Sequence, residues 1–326
     1  MLELSVVTVC MNRQQHLVQT APHVQAWADG LGLSWEHVVV DWSSDDPIPR
    51  ELLPASASVR LLRVNGEEGG SASRAYNFGC FNAHGARLMR LDADCWPQAL
   101  DATMLQDLGP HQVLQGAVNG GSEGSWLMAR ELFQAVGGFH ELLKGYGCDD
   151  IDLRARLQAD GAEVITLPKQ AIGVIHHSSA MRVHRNGSQR KDGCHPALHR
   201  AWKDALVEAN RWAVVLYPWS AERARTAYVQ SPLGDWRADM SSIPEPSDAL
   251  AERLFEIRRL CFWSKFLLLP RPVLLTLPRD WFGGLQSDGF GVRRWHRLYW
   301  NTGRRFCLGL RLILLRFLRM MSCANF

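Results

Sequence analysis

The stretch GYGCDDIDLRAR, residues 145–156, crowds three carboxylates, Asp149, Asp150 and Asp152, into four positions behind two glycines and an aromatic residue. Acidic side chains at the start of a helix complement free backbone N–H groups and the helix dipole. The apolar positions Ile151, Leu153 and Leu157 predict such a helix, ending near Gly161. Capping accounts for Asp149 taken alone. A carboxylate held within reach of a hydroxyl is equally a general base.

A second acidic pair stands in RLDADC, where Asp92 and Asp94 lie two apart at the end of an apolar run. Strand alternation aims both toward one side. Two carboxylates facing one space repel unless a cation joins them, and hard oxygen donors suit Mg²⁺ or Mn²⁺. A strand-end turn that uses Asp for its own hydrogen bonds is the plainer explanation for a lone pair. Downstream, IHHS supplies His176 and His177 after another apolar run, and imidazole is a ligand for Mn²⁺.

These residues need a scaffold that brings separate loops together. Short apolar runs (LSVVTVC, WEHVVVD, SVRLLRV, ARLMRLDAD) alternate with helical stretches (QQHLVQTAPHVQAWADG, SASRAYNFGCFNAHG) through the first half. That alternation predicts βα units around a mixed, mostly parallel sheet, with ligands at the carboxyl ends of the strands. Three strand ends carry polar clusters: CMNR, DWSSDD and DADCW. From residue 113 the pattern becomes QVLQGAV, a Gly/Ser/Glu turn, SWLMA, the short helix RELFQAVGGF and the strand AEVITL, as expected of an added acceptor pocket. The run GEEGG lacks a following Lys-Ser/Thr and is a turn rather than a phosphate loop.

In family order across residues 4–185, these motifs resemble a GT-A glycosyltransferase of the family 2 type. They are most similar to the C-terminal portion of β-1,4-galactosyltransferases and to chondroitin-polymerase-like bacterial enzymes. NRQQHL is similar to the segment that meets the nucleotide, VVVDWSSDD to the uridine-binding strand end and RLDADC to the DxD motif. WLMARELFQAVGGFHE resembles the acceptor-side helix, GYGCDDIDLRARL the Gly-Trp-Gly-Gly-Glu-Asp segment, and IHHS the downstream metal histidine.

The resemblance implies a metal-dependent enzyme of the hexosyltransferase type, working with a UDP-sugar donor in polysaccharide biosynthesis. It implies that Asn12, Arg13, Asp41, Arg74 and Asp92 serve the nucleotide-sugar, and that Asp92, Asp94 and His177, with His176 as competitor, hold Mn²⁺ or Mg²⁺. Trp126, Tyr146 and Asp149 then contact a glycan or lipid-linked glycan acceptor, and Asp150 is the base of an inverting displacement. Asp152 is left with dipole complementarity. Tyr146 and Cys148 replace the family's usual Trp and Gly. At a helix start, Asp150 is expected to have a lowered pKa. A nucleotidyltransferase on the same nucleotide fold, or a non-catalytic nucleotide- or glycan-binding module, are the rival classes.

The chain has 326 residues with net charge +3, but residues 251–326 carry +10 and residues 1–250 carry −7. Basicity therefore belongs to the tail. We expect a GT-A domain over residues 1–212 and a basic, Trp/Arg-rich, mainly helical extension over residues 213–326. At helical spacing Arg304, Arg305, Arg311, Arg316 and Arg319 gather on one face of RRFCLGLRLILLRFLRMM, opposite large apolar residues. Such a helix suits a membrane interface or packing on the domain, and its charges interrupt every run long enough to span a bilayer. Arginines alternating with aliphatics argue against nucleic acid. Eight cysteines without a CxxC pair, and a strand-like opening LELSVVTVC, predict a reduced, cytoplasmic protein, peripheral on the inner membrane face. CHPALH offers Cys194, His195 and His199 without the partner pair a zinc site needs.

Overall fold

LSVVTVC forms β1 (Leu4–Cys10), the middle strand of the main sheet in the computed structural model. The structure describes residues 2–67, 71–117, 120–145, 147–176 and 196–266, with 306, 309, 310, 313 and 314. Tyr146, His177, Cys194 and His195 lie outside the described residues. Parallel partners flank β1: β2 (Trp35–Trp42) on one side and β4 (Arg87–Asp92) on the other, with β3 (Val59–Asn65) beyond β2. Side-chain alternation splits the core between the two sheet faces. Val6 and Val39 pack with Leu17, Ala21, Val24 and Ala28 of α1 (Gln14–Gly30). Val7, Val38 and Val40 pack with Ala75 and Phe78 of α2 (Ala72–Phe81). That second helix lies close because Gly79 faces β1 and β2, where a Cβ would come within 2.6 Å of Val7 Cγ1.

Past β4 the strand directions mix. β5 (Cys95–Pro97) and α3 (Ala102–Gln106) lead to β6 (Gln112–Gln115), and β7 (Trp126–Ala129) pairs antiparallel with both β4 and β6. The short α4 (Arg130–Ala135) and then α5 (Asp149–Ala159) follow, and β8 (Glu163–Thr166) runs parallel to β6. β9 (Ile172–Val174) forms a separate antiparallel pair with β5. The mixed, mostly parallel sheet flanked by helices agrees with the fold class expected from the sequence.

The extension expected from residue 213 divides differently. Two compact units emerge, Met1–Gly193 with Ala213–Ser247, and Cys194–Trp212 with Asp248–Phe326. After α6 (Pro196–Leu216), β10 (Tyr228–Gln230) and β11 (Trp236–Ala238) extend the central sheet beside β3, in the order β10-β11-β3-β2-β1-β4-β7-β6-β8. The physical reason is aromatic: Tyr228 and Trp236 pack on Phe78, with ring centroids 4.8 and 5.5 Å away. These strands are three residues long, too short to announce themselves by periodicity.

In the second unit, Ile257 and Cys261 of α7 (Asp248–Phe266) are buried with Ala205. Phe306, Leu310, Ile313 and Leu314 are helical and exposed, at 68%, 53%, 66% and 57%. No helix among the described residues is long and apolar enough to cross a membrane.

Candidate active site

Strand register levels the polar clusters along one edge. Cys10 pairs with Asp41 and Val9 with Asp92, so the ends of β1, β2 and β4 stand side by side. This is the carboxyl end of the parallel strands, the edge at which ligands gather in sheets of this kind.

On the β1–β2 side the loops are tied to each other. Asn12, with φ 55°, takes Ser44 Oγ on its backbone N–H at 3.0 Å, and its side chain exchanges hydrogen bonds with Asp45 at 2.8 and 3.1 Å. Arg13 is half-buried at the start of α1. Asp41 is 1% exposed, and both of its oxygens are engaged. Oδ1 accepts from the Ser44 backbone at 3.2 Å, while Oδ2 accepts from the Ile48 backbone at 2.9 Å and from Arg63. Direct contact with uridine was expected of Asp41; the structure gives it the task of holding the 43–48 loop. Arg74 is ion-paired with Glu67, which is 4% exposed and lies 3.5 Å from the Tyr228 hydroxyl. Burial raises the Glu67 pKa against the pull of Arg74.

The β4–β7–α5 side is organised by a residue the sequence left without a role. Arg90 on β4 is 6% exposed, and its guanidinium lies over the rings of Tyr76 at 4.0 Å and Phe139 at 4.9 Å. Its Nη1 donates to Asp150 Oδ1, and its Nη2 lies 3.5 Å from Asp92 Oδ1 and 3.8 Å from Asp149 Oδ2. Trp126, directly opposite Arg90 across the β4–β7 ladder, donates its indole N–H to the same Asp150 Oδ1 at 2.8 Å. An acceptor contact was expected of Trp126; at 1% exposure it instead buttresses the carboxylate. Tyr76 donates its hydroxyl to Asp92 Oδ1 at 2.7 Å. Gly124 faces the same group, where a Cβ would meet Asp92 Oδ2 at 2.6 Å.

The electrostatics follow from three carboxylates sharing one guanidinium. Burial raises the Asp150 pKa to about 7, assisted by Asp149 and Asp92 and opposed by Arg90. The lowered value expected from the helix start is reversed, because desolvation outweighs the dipole here. Arg90 is pushed the other way. Burial disfavours its charge, but Asp150, Tyr76, Asp92 and Asp149 outweigh burial and hold its pKa well above the ordinary value.

Asp149 and Asp150 are aimed by an unusual helix entry. Gly145 and Gly147 have φ of 66° and 95°, and Cys148, at the N-cap, has φ 78°, the left-handed region that favours glycine. A glycine would meet that backbone demand without strain. Asp152 does more than complement a dipole. It is 4% exposed and paired with Arg156, whose Nη1 also bonds the Gly138 carbonyl at 2.8 Å, fixing α5 to the 136–138 turn.

Asp94 is half-buried in the turn after β4. Its backbone carbonyl accepts from the Ile175 N–H at 2.8 Å, so the β5–β9 pairing brings exposed His176 into the neighbouring stretch. Among the described residues no three His, Cys, Asp or Glu side chains converge as a metal cluster. The donor chemistry nevertheless fits a hard divalent cation: Asp92 and Asp94 are oxygen donors, and the carboxylates around Arg90 outnumber it.

Arg90, Tyr76 and Gly124 escaped the sequence reading. The available signal was an Arg inside the apolar run RLMRLD, two positions before Asp92 and therefore on its side of the strand.

Residues 118–180, the stretch that carries Trp126, Asp149 and Asp150, match a family model described as the N-terminal domain of galactosyltransferase. No curated protein matches the chain. Among solved structures, it is similar to the catalytic domain of Drosophila β1,4-galactosyltransferase 7 in complex with xylobiose, at 14% identity and TM-score 0.47, over 73% of this chain and 93% of that one. A mutant of the Drosophila enzyme with manganese, UDP-Gal and xylobiose resembles it at 13% identity and TM-score 0.45, over 72% and 92%. GalNAc-T7 with UDP, GalNAc and Mn²⁺ does so at 17% identity and TM-score 0.46, over 65% of this chain and 52% of that one.

Proposed function

We propose that the chain is a metal-dependent, inverting glycosyltransferase that moves a sugar from a UDP-sugar to a glycan or lipid-linked glycan acceptor. The observation that carries this reading is the meeting of Asp150, Asp149 and Asp92 around Arg90, with two of the three inside the stretch that matches a galactosyltransferase family model. The UDP-sugar itself follows from the motif resemblance.

An acceptor hydroxyl is a poor nucleophile, so a positioned carboxylate must take its proton as it attacks the anomeric carbon. Asp150, its pKa raised by burial and by the neighbouring Asp149 and Asp92, is a stronger base than an ordinary aspartate. Asp149, one residue earlier on the same helix start, is the group we assign to orient the acceptor. Asp92 and Asp94, with His176 or His177, would hold Mn²⁺ or Mg²⁺. When bound, that cation would neutralise charge on the departing diphosphate. Asn12, Arg13 and the Asp41-held loop form the nucleotide side.

A peripheral membrane role for the tail, on the cytoplasmic face, is part of this proposal. Four large apolar residues at helical spacing, Phe306, Leu310, Ile313 and Leu314, are exposed, and the surrounding sequence is rich in arginine, a combination that suits anionic lipid. Flotation with anionic liposomes should be lost on removing residues 304–326; equal flotation of both forms would refute it.

The enzymatic proposal is tested by incubating the purified protein with a panel of UDP-sugars and glycan acceptors, with and without Mn²⁺. Acceptor-dependent release of UDP supports it. Formation of a nucleotide ester would favour a nucleotidyltransferase, and UDP-sugar binding without turnover a binding module.

A further inference from the structure

We infer that Arg90 is the positioning residue that decides which oxygen of Asp150 accepts the proton. This deepens the transferase proposal and rests on it. Asp150 Oδ1 receives two donors, Arg90 Nη1 and Trp126 Nε1, from residues that face each other on neighbouring strands. Two donors from one rigid ladder fix that oxygen in place. Among the described residues no donor reaches Oδ2, so it is left to take the acceptor's proton.

The choice of arginine has a physical reason. A planar guanidinium can reach Asp150 through one nitrogen and Asp92 and Asp149 through the other, which a lysine ammonium cannot do. Tyr76 and Phe139 hold the guanidinium plane, limiting the rotation of the fork. One cation therefore ties the carboxylate at the end of β4 to the two at the start of α5, and the distance between donor and acceptor sides is set by protein rather than by substrate. In the step it serves, the acceptor O–H proton passes to Asp150 Oδ2 and the acceptor oxygen bonds to the anomeric carbon. The carbon–oxygen bond to the diphosphate breaks with its electron pair leaving on UDP, and Asp150 later returns the proton to water.

The test compares Arg90→Lys, Trp126→Phe and the double variant with the unaltered full chain. The rate constant is expressed per UDP-binding site counted by calorimetry, so misfolded protein does not enter it. We expect kcat to fall about 100-fold for Arg90→Lys and about tenfold for Trp126→Phe, each with donor KM within about threefold. The double variant should lose little beyond Arg90→Lys, because both act through one oxygen. If Arg90→Lys does not fold, Trp126→Phe still decides, since an unchanged kcat per site would overturn the inference. Multiplying losses in the double variant, or losses confined to KM, would also overturn it. Absence of turnover by the unaltered protein with every donor would refute the transferase proposal itself, and the positioning role with it.

Discussion

Asp41 and Asp150 are both carboxylates near the carboxyl ends of the parallel strands, and both are paired with an arginine, yet they are built differently. Asp41 spends both oxygens on the Ser44 and Ile48 backbones and on Arg63, and is 1% exposed. Asp150 has one oxygen held twice and, among the described residues, no donor on the other, and its side chain is 28% exposed. The lesson is that an Arg–Asp pair is neither structural nor reactive by type. What decides is whether the surroundings satisfy every lone pair or leave one open on a partly exposed carboxylate.

Substitution separates the two most sharply. Asp150→Asn should lower transfer by about 1,000-fold, within the usual range for losing a general base, while UDP binding is kept. Asp41→Asn should leave folded molecules able to turn over but destabilise the chain by about 2–3 kcal/mol, because it weakens a buried pair and two backbone hydrogen bonds. Kinetics and denaturant melts on both variants check this; swapped outcomes would break the contrast.

The pH response is the next largest effect. A base must be ionised, so kcat/KM should fall about tenfold per unit below pH 7. Arg90, Asp149, Asp92 and the Trp126 indole all face Asp150, and Asp149 and Asp92 raise its pKa. Asp149→Asn should therefore move the acid limb toward lower pH. For stability the sign is opposite to that of an ordinary surface aspartate. The folded value lies above 3.8, so the contribution of Asp150 is complete below 3.8 and is lost as pH rises through about 7.

Smaller changes sharpen the donor side. Gly124→Ala should press on Asp92 Oδ2 and raise the Mn²⁺ concentration needed for half-maximal activity several-fold. Cys148→Gly should stabilise the chain by up to about 1 kcal/mol through relief of its left-handed backbone, offset by the flexibility of glycine. A metal titration and a thermal melt are sufficient checks.

Much of this architecture was legible from residue pattern because β1 to β4 and α1 are long, apolar on the expected period and bounded by polar clusters. The register of β1 with β2 and β4 then levels three strand ends without further help. Less visible were contacts made by short or distant pieces. β5 pairs with β9 across more than 70 residues, and β10 and β11 rejoin the sheet through two aromatic side chains. At the site, the acidic residues were conspicuous while their partners were not, since an Arg on a strand or a buried Trp has many ordinary uses. The direction of the Asp150 pKa shift could not be read from a helix start alone, because it depends on burial supplied by β4 and β7.

The most direct test is acceptor-dependent UDP release from UDP-sugars in the presence of Mn²⁺, measured side by side for the unaltered chain and Asp150→Asn. The account predicts turnover by the first and near-complete loss in the second with UDP affinity intact. Equal turnover by both would contradict it.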